Sequence, residues 1–173
     1  MIKPVICAPL RTPVGRFGGV LKDVPAQALG ATVVRALFER TSLPKALVDD
    51  VLFAQCYGTA DAPALGRVVA LDAGLPVEVG GLQLDRRCGS GLQVIVYAAM
   101  QVATGASQVV IAGGAESMSN APYYSSRPRW GAQGAEGVLF HDALARGRVT
   151  AGGKNYPVAG GMLETAENLR REY

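Results

Sequence analysis

One histidine, three cysteines and one tryptophan are all that this 173-residue chain holds of its scarcest side chains. Cys7, Cys56 and Cys88 lie far apart, with no Cys-x-x-Cys pair and no histidine at ligand spacing, which excludes the usual zinc patterns. An odd cysteine count without a secretory leader points to reduced thiols. No apolar run approaches the roughly 18 to 20 residues that cross a bilayer, and the first residues lack the basic, apolar and small-residue segments of a signal peptide. The expectation is a cytoplasmic protein with no membrane partner. A net charge of +3 is too small to argue for nucleic-acid binding. It is compatible with an anionic substrate.

What is present suits a folded α/β domain. Hydrophobic residues make up 49% of the chain and charged residues 18%, a balance that a disordered chain does not have. The pattern alternates. Val5–Ala8 reads as a strand, followed by a Gly- and Pro-rich loop from Leu10 to Leu21. Asp23 is placed to cap a helix that runs to about Glu39 with Pro25 in its first turn, and Leu29, Val33, Ala36 and Leu37 recur at helical spacing. Val51–Tyr57 reads as a strand, Ala64–Ala73 as a helix closed by Gly74 and Pro76, and Gly81–Asp85 as a short strand. A long helix then ends at Gly105, and Gln108–Ala112 reads as a strand of the buried parallel type. The series predicts a mostly parallel sheet flanked by helices.

After Asn120 the periodicity fades, apart from a short helical stretch near Val138–Ala145 and a final helix over Leu163–Tyr173 with Glu164, Glu167, Arg170 and Arg171 on a solvated face. The boundary is therefore placed between residues 1–119 and 120–173. Arg127-Pro128-Arg129-Trp130 is the densest basic and aromatic cluster, read either as a solvated loop or as a contact for phosphate or adenine.

The most informative residue is Cys88, in Arg86-Arg87-Cys88-Gly89-Ser90-Gly91-Leu92-Gln93, between a strand and a helix. Unpaired N–H groups and the dipole at a helix start favour a thiolate, and the small residues beside it admit a substrate to the backbone. The alternative is a small buried hydrophobe. Cys7 and Cys56 follow apolar strand runs and read as structural.

The wider set of motifs resembles the thiolases, which make and cleave 3-ketoacyl-CoA. Arg11-Thr12-Pro13-Val14-Gly15-Arg16-Phe17-Gly18-Gly19, Leu29-Gly30-Ala31, Asp49-Asp50-Val51, Ala73-Gly74-Leu75-Pro76, the Cys88 motif and Ala112-Gly113-Gly114-Ala115-Glu116-Ser117-Met118-Ser119 follow in family order, and Thr165-Ala166-Glu167-Asn168 is a later match. The resemblance covers less than half a thiolase: the α/β N-terminal half, then part of the loop domain that holds coenzyme A. It implies acyl transfer in fatty-acid metabolism, with Cys88 as nucleophile and its N–H as one arm of an oxyanion hole. It also implies acyl-CoA and CoA as substrates, no permanently bound cofactor, and a homo-oligomer or a complementary C-terminal thiolase chain as partner. The family's Gly-His-Pro histidine and Cys-x-Gly cysteine are not in this sequence, and His141 does not match that histidine motif. Met162 matches a methionine of the acyl pocket, with plain packing the alternative.

Some residues depart from the family. Asp85 stands where Asn is usual and Arg87 where an apolar residue is usual. Arg87 would either face the thiol and favour a thiolate or pair with Asp85. Gly161-Met162-Leu163-Glu164 lacks the Met-Gly stretch and preceding histidine common before the later match. A catalytically inactive, truncated thiolase-like scaffold is therefore the alternative function. A Rossmann-type nucleotide binder is disfavoured because no Gly-x-Gly-x-x-Gly leads from a strand into a helix.

Overall fold

The computed structural model describes residues 2–126, 128–131, 137–157 and 159–173. They fall into two compact units, Met1–Asn120 and Ala121–Tyr173. The first contains α1 (Ala26–Thr41), β1 (Asp50–Ala54), α2 (Leu65–Asp72), β2 (Gly80–Leu84), α3 (Ser90–Thr104) and β3 (Val110–Gly114). The strands form one parallel sheet in the order β2-β1-β3, with β1 in the centre.

The central strand is buried on both faces, and its alternation divides the core. Val51 and Phe53 join α1 and α2 residues such as Val34, Phe38, Leu65 and Val69. Leu52 and Ala54 point the other way, onto Val94 and Ala98 of α3. Complete burial of Val51, Leu52, Leu65 and Val69 contributes about 1.5 to 3 kcal/mol for each side chain. Close approach of α2 to the sheet depends on Gly66, where an added Cβ would lie 2.2 Å from the Val51 carbonyl oxygen and 2.4 Å from that of Leu82. The α3 helix ends on Gly105 at φ 78°, in the left-handed conformation its sequence position suggests.

Several expectations need correction. Val5–Ala8 is not a strand. Val5 and Ile6 are 76% and 79% exposed, because an apolar run becomes a strand only when a neighbouring strand takes up its N–H and C=O groups, and none among the described residues does. Cys7 is accordingly exposed instead of structural. Asp23 does not cap α1; Pro25 occupies the N-cap without a side-chain hydrogen bond. The buried face of α1 is Gly30, Ala31, Val34 and Phe38, turned by about one residue from the stripe read in the sequence. Gly30 explains the turn: its missing Cβ would stand 2.7 Å from Val69 and 2.9 Å from Phe53, so this side packs closest. Finally, β3 begins two residues later than expected and is only partly buried, with Ile111 its one buried residue.

In the second unit, β4 (Tyr123–Tyr124) and β5 (His141–Asp142) form an antiparallel pair, followed by α4 (Ala143–Thr150) and α5 (Gly161–Glu172). Asp142 caps α4, its carboxylate accepting the Leu144 N–H at 2.8 Å, so the helix starts at Ala143 and not near Val138. His141 packs at a tilt against the Tyr124 ring, with centroids 5.7 Å apart. On α5, Glu167 pairs with Arg170 and Arg171 on an exposed face. Arg127 lies outside the described residues, and Trp130 is almost fully exposed.

Candidate active site

Cys88 lies in the turn from β2 to α3, two residues before the first helical residue, and is exposed. It therefore stands just outside the helix instead of within its first turn. The turn is tightly wound. Gly89 N–H donates to the Arg86 carbonyl at 3.1 Å and Ser90 N–H to the Arg87 carbonyl at 2.9 Å. Arg87, the residue before Cys88, has φ 50°, a left-handed conformation that costs a residue other than glycine about 1 to 2 kcal/mol. A non-glycine residue held there requires support from its surroundings, and three side chains supply it.

Ser90 is the first. Its hydroxyl accepts the Arg86 N–H at 2.6 Å, donates to the Arg87 carbonyl at 2.7 Å and lies 3.9 Å from the Cys56 sulfur. Asp85 is the second, accepting the Arg87 N–H at 2.8 Å in an Asx-type turn. The third is Arg87 itself. Its guanidinium donates to the Cys56 carbonyl at 2.7 Å, stands 3.4 Å from Asp85 and lies 5.5 Å from the Tyr57 ring centroid. Of the two expectations for Arg87, pairing with Asp85 is the one observed.

Glu116, just past β3, secures the other side. Its carboxylate accepts the N–H of Cys56 at 2.7 Å and that of Tyr57 at 3.3 Å. Cys56 therefore leaves the end of β1 between two loops that grip its peptide. Burial pushes its thiol pKa up, with the nearby Glu116 and Asp85 carboxylates acting in the same direction and the Ser90 hydrogen bond opposing. The rest of the motif ties down the N-terminal loop. Ser119 accepts the Gly18 N–H at 2.9 Å, Ser117 donates to the Val24 carbonyl at 2.9 Å, and Asn120 donates to that of Lys22 at 2.7 Å.

A cleft of about 580 Å³ is lined by Gly58, Thr59, Pro63, Ala64, Gly81, Leu82, Gln83 and Asp85. It touches the turn at Asp85, but Cys88 is not among its lining residues. Met162 lies at the start of α5 and is 78% exposed. Among the described residues no group of three or more His, Cys, Asp and Glu could hold a metal ion. No helix among them is long and apolar enough to cross a membrane.

A parallel α/β sheet that presents an exposed cysteine on a strained turn between strand and helix defines the class. The chain belongs to the thiolase family, its residues 4–173 matching the family description "Thiolase, N-terminal domain". Beta-ketothiolase BktB of Cupriavidus necator is 39% identical over 177 residues, covering 98% of this chain and 42% of that protein. A probable acetyl-CoA acetyltransferase of Escherichia coli is 38% identical over 169 residues, with the same two coverages of 98% and 42%. The crystal structure of the Bacillus anthracis acetyl-CoA acetyltransferase superposes with a TM-score of 0.89 at 37% identity, covering 100% of this chain and 42% of that one. The fold is thus the N-terminal half of the thiolase fold, and the chain spans about two fifths of the length of these relatives.

Proposed function

We propose that the chain is the N-terminal portion of a thiolase-type acyltransferase in which Cys88 is the nucleophile. In thiolysis the Cys88 thiol gives its proton to the family's histidine and its sulfur attacks the 3-keto carbonyl of a 3-ketoacyl-CoA. The carbon–carbon bond breaks, the released enolate takes a proton from the family's second cysteine and leaves as acetyl-CoA, and the acyl group passes from Cys88 to the thiol of free CoA. In the opposite direction two acetyl-CoA molecules condense. The thiolate is both a good nucleophile and a good leaving group, which a two-step transfer requires. The Cys88 N–H forms one arm of an oxyanion hole. The observation that carries this reading is the exposed Cys88 on a turn braced by Asp85, Arg87 and Ser90.

Residues 1–119 act as the catalytic α/β domain and residues 120–173 as part of the CoA-binding loop region, with Met162 contacting the acyl group. Coenzyme A enters as substrate and no cofactor is held permanently. The activating histidine and the second cysteine come from a C-terminal thiolase half, with the active particle a cytoplasmic oligomer serving fatty-acid metabolism. Two apolar surfaces support the need for that half: the N-terminal Val5–Ile6 segment, and α3, where Leu92 and Met100 are 70% and 56% exposed. The test is to incubate the chain, alone and with a thiolase C-terminal half, with acetyl-CoA and map adducts by mass spectrometry. Acetyl on Cys88 is expected, and its absence in both samples sinks the reading.

The alternative is an inactive scaffold subunit. It is favoured by the engagement of the Arg87 guanidinium with Asp85 and the Cys56 carbonyl, which leaves that charge occupied. A Cys88 that reacts with iodoacetamide no faster than exposed Cys7 would support it.

A further inference from the structure

We propose that Ser90 is a positioning residue for Cys88, a role that rests on the nucleophile reading above. The backbone that leads into Cys88 is bonded at two successive residues to this one hydroxyl. Ser90 is 2% exposed, and its Oγ accepts the N–H of Arg86 while donating to the carbonyl of Arg87. Arg86 and Arg87 are the two residues that lead into Cys88, and Arg87 is the one in the left-handed conformation. A two-centre contact from a buried side chain fixes both the direction of the chain entering the turn and the plane of the peptide that joins Arg87 to Cys88. That peptide supplies the N–H of Cys88, so its orientation determines where any oxyanion bound there must sit.

The hydroxyl is itself held. It is the first residue of α3, on the face that also buries Val94 and Ala98, so it moves only with the helix. Its third neighbour is the Cys56 sulfur at 3.9 Å, and the Cys56 peptide is gripped by Glu116 on one side and Arg87 on the other. The rim of the sheet formed by the ends of β1 and β3 is thereby connected to the turn at Cys56, by the Ser90 Oγ at its sulfur and by the Arg87 guanidinium at its carbonyl. Alanine in this position would keep the helix but leave the Arg86 N–H and the Arg87 carbonyl without the partner they share. The left-handed Arg87 would then keep Asp85, its own side chain and the backbone bond from the N–H of residue 90 to its carbonyl, but no side-chain bond from α3. A misplacement of the reacting sulfur or of the Cys88 N–H by a fraction of an ångström is enough to slow attack.

The experiment compares the full chain with Ser90→Ala and Ser90→Thr. Acetyl-Cys88 formation from acetyl-CoA is followed by mass spectrometry in the presence of a thiolase C-terminal half. In parallel, iodoacetamide reaction at Cys88 is measured relative to exposed Cys7 in the same molecule. Amide exchange at Arg86 and in β1 reports the local bond and the integrity of the core. For Ser90→Ala we expect acetylation to slow by about tenfold or more, with the acetyl-CoA concentration for half-saturation unchanged. The Cys88-to-Cys7 alkylation ratio changes as well, Arg86 loses exchange protection, and β1 keeps it. Ser90→Thr, which keeps the hydroxyl, restores acetylation. The proposal is overturned if Ser90→Ala loses protection at Arg86 yet acetylates and alkylates as the parent does. If the parent takes up no acetyl group, the nucleophile reading fails by itself, and the alkylation ratio still decides whether Ser90 sets the geometry of the thiol.

Discussion

The carboxylate of Glu116 holds the backbone of Cys56, accepting its N–H at 2.7 Å and that of Tyr57 at 3.3 Å across 60 residues of sequence. This joins the far end of β3 to the far end of β1 at the level of the Cys88 turn. Hydrogen bonds to a charged acceptor that is partly sheltered are stronger than neutral ones.

Glu116→Ala leaves two N–H groups without their acceptor and is expected to lower stability by about 2 kcal/mol, with Glu116→Gln losing about half of that. Urea denaturation followed by circular dichroism reads both. Equal stability of Glu116→Ala and the parent would show the clamp to be energetically idle.

Two glycines should behave in opposite ways. Gly66→Ala drives a methyl group into the Val51 and Leu82 carbonyl oxygens, neither of which is a movable side-chain end, so a loss on the order of 4 kcal/mol or failure to fold is expected. Gly91→Ala meets nothing within 4 Å and lies inside α3, so it should stabilise by about 0.5 to 1 kcal/mol. Paired thermal melts test the contrast, and a Gly66→Ala variant as stable as Gly91→Ala contradicts the packing of α2.

Asp49 should contribute to the acid limb of stability. The N–H groups of Val109 and Gln108 donate to its carboxylate, at 3.0 and 2.6 Å, and hold its pKa below the usual carboxylate range. A folded-state pKa below the unfolded one means the contribution is complete above the unfolded value of about 3.9 and disappears as pH falls through the folded value. Asp49→Asn should therefore shallow the decline in unfolding midpoint between about pH 5 and pH 2. An unchanged acid limb would rule this contribution out.

The three thiols should separate under limiting iodoacetamide. Cys56 is half-buried and burial raises its pKa, so it should be modified last, after the exposed Cys7 and Cys88. Peptide mapping over a time course gives the order. Cys56 labelled as quickly as Cys7 would mean that the packing around Ser90 opens in solution.

Much of the first unit could be read from local pattern because its elements are defined by local rules. The α2 and α3 helices and β1 and β2 fall within a residue or two of their expected bounds at most ends, where apolar periodicity and glycine stops coincide. Errors arose where the deciding partner is distant in sequence. The expected strand from Val51 runs on to Tyr57, but β1 stops at Ala54: Gln55 still donates to the Leu84 carbonyl, and beyond it Glu116 takes the N–H groups of Cys56 and Tyr57 away from a ladder. Gln108 and Val109 were expected to begin a strand, yet Asp49 captures both N–H groups and β3 starts at Val110. The Cys88 site was legible as a motif, but its bracing was not. A single sequence does not reveal that Arg87 is left-handed or that Ser90 contacts two peptides. The Glu116-Ser117-Met118-Ser119 segment is legible only as a family signature, because the backbone groups its side chains hold lie about 60 to 100 residues away in sequence.

The central position of β1 has one more consequence. Asp50–Ala54 lies opposite Gly80–Leu84 on one side and Val110–Gly114 on the other, five residues against five in each pairing. Both neighbours therefore take their longitudinal position from one ruler. A slip of β1 by one residue would displace Cys56 by about 3.3 Å relative to both the Cys88 turn and Glu116. It would also exchange Leu52 with Val51 and Phe53 between two cores of different shape. Side-chain burial thus fixes the alignment of the Cys88 turn from beneath, so the positions that this turn tolerates least include buried strand residues that never touch it.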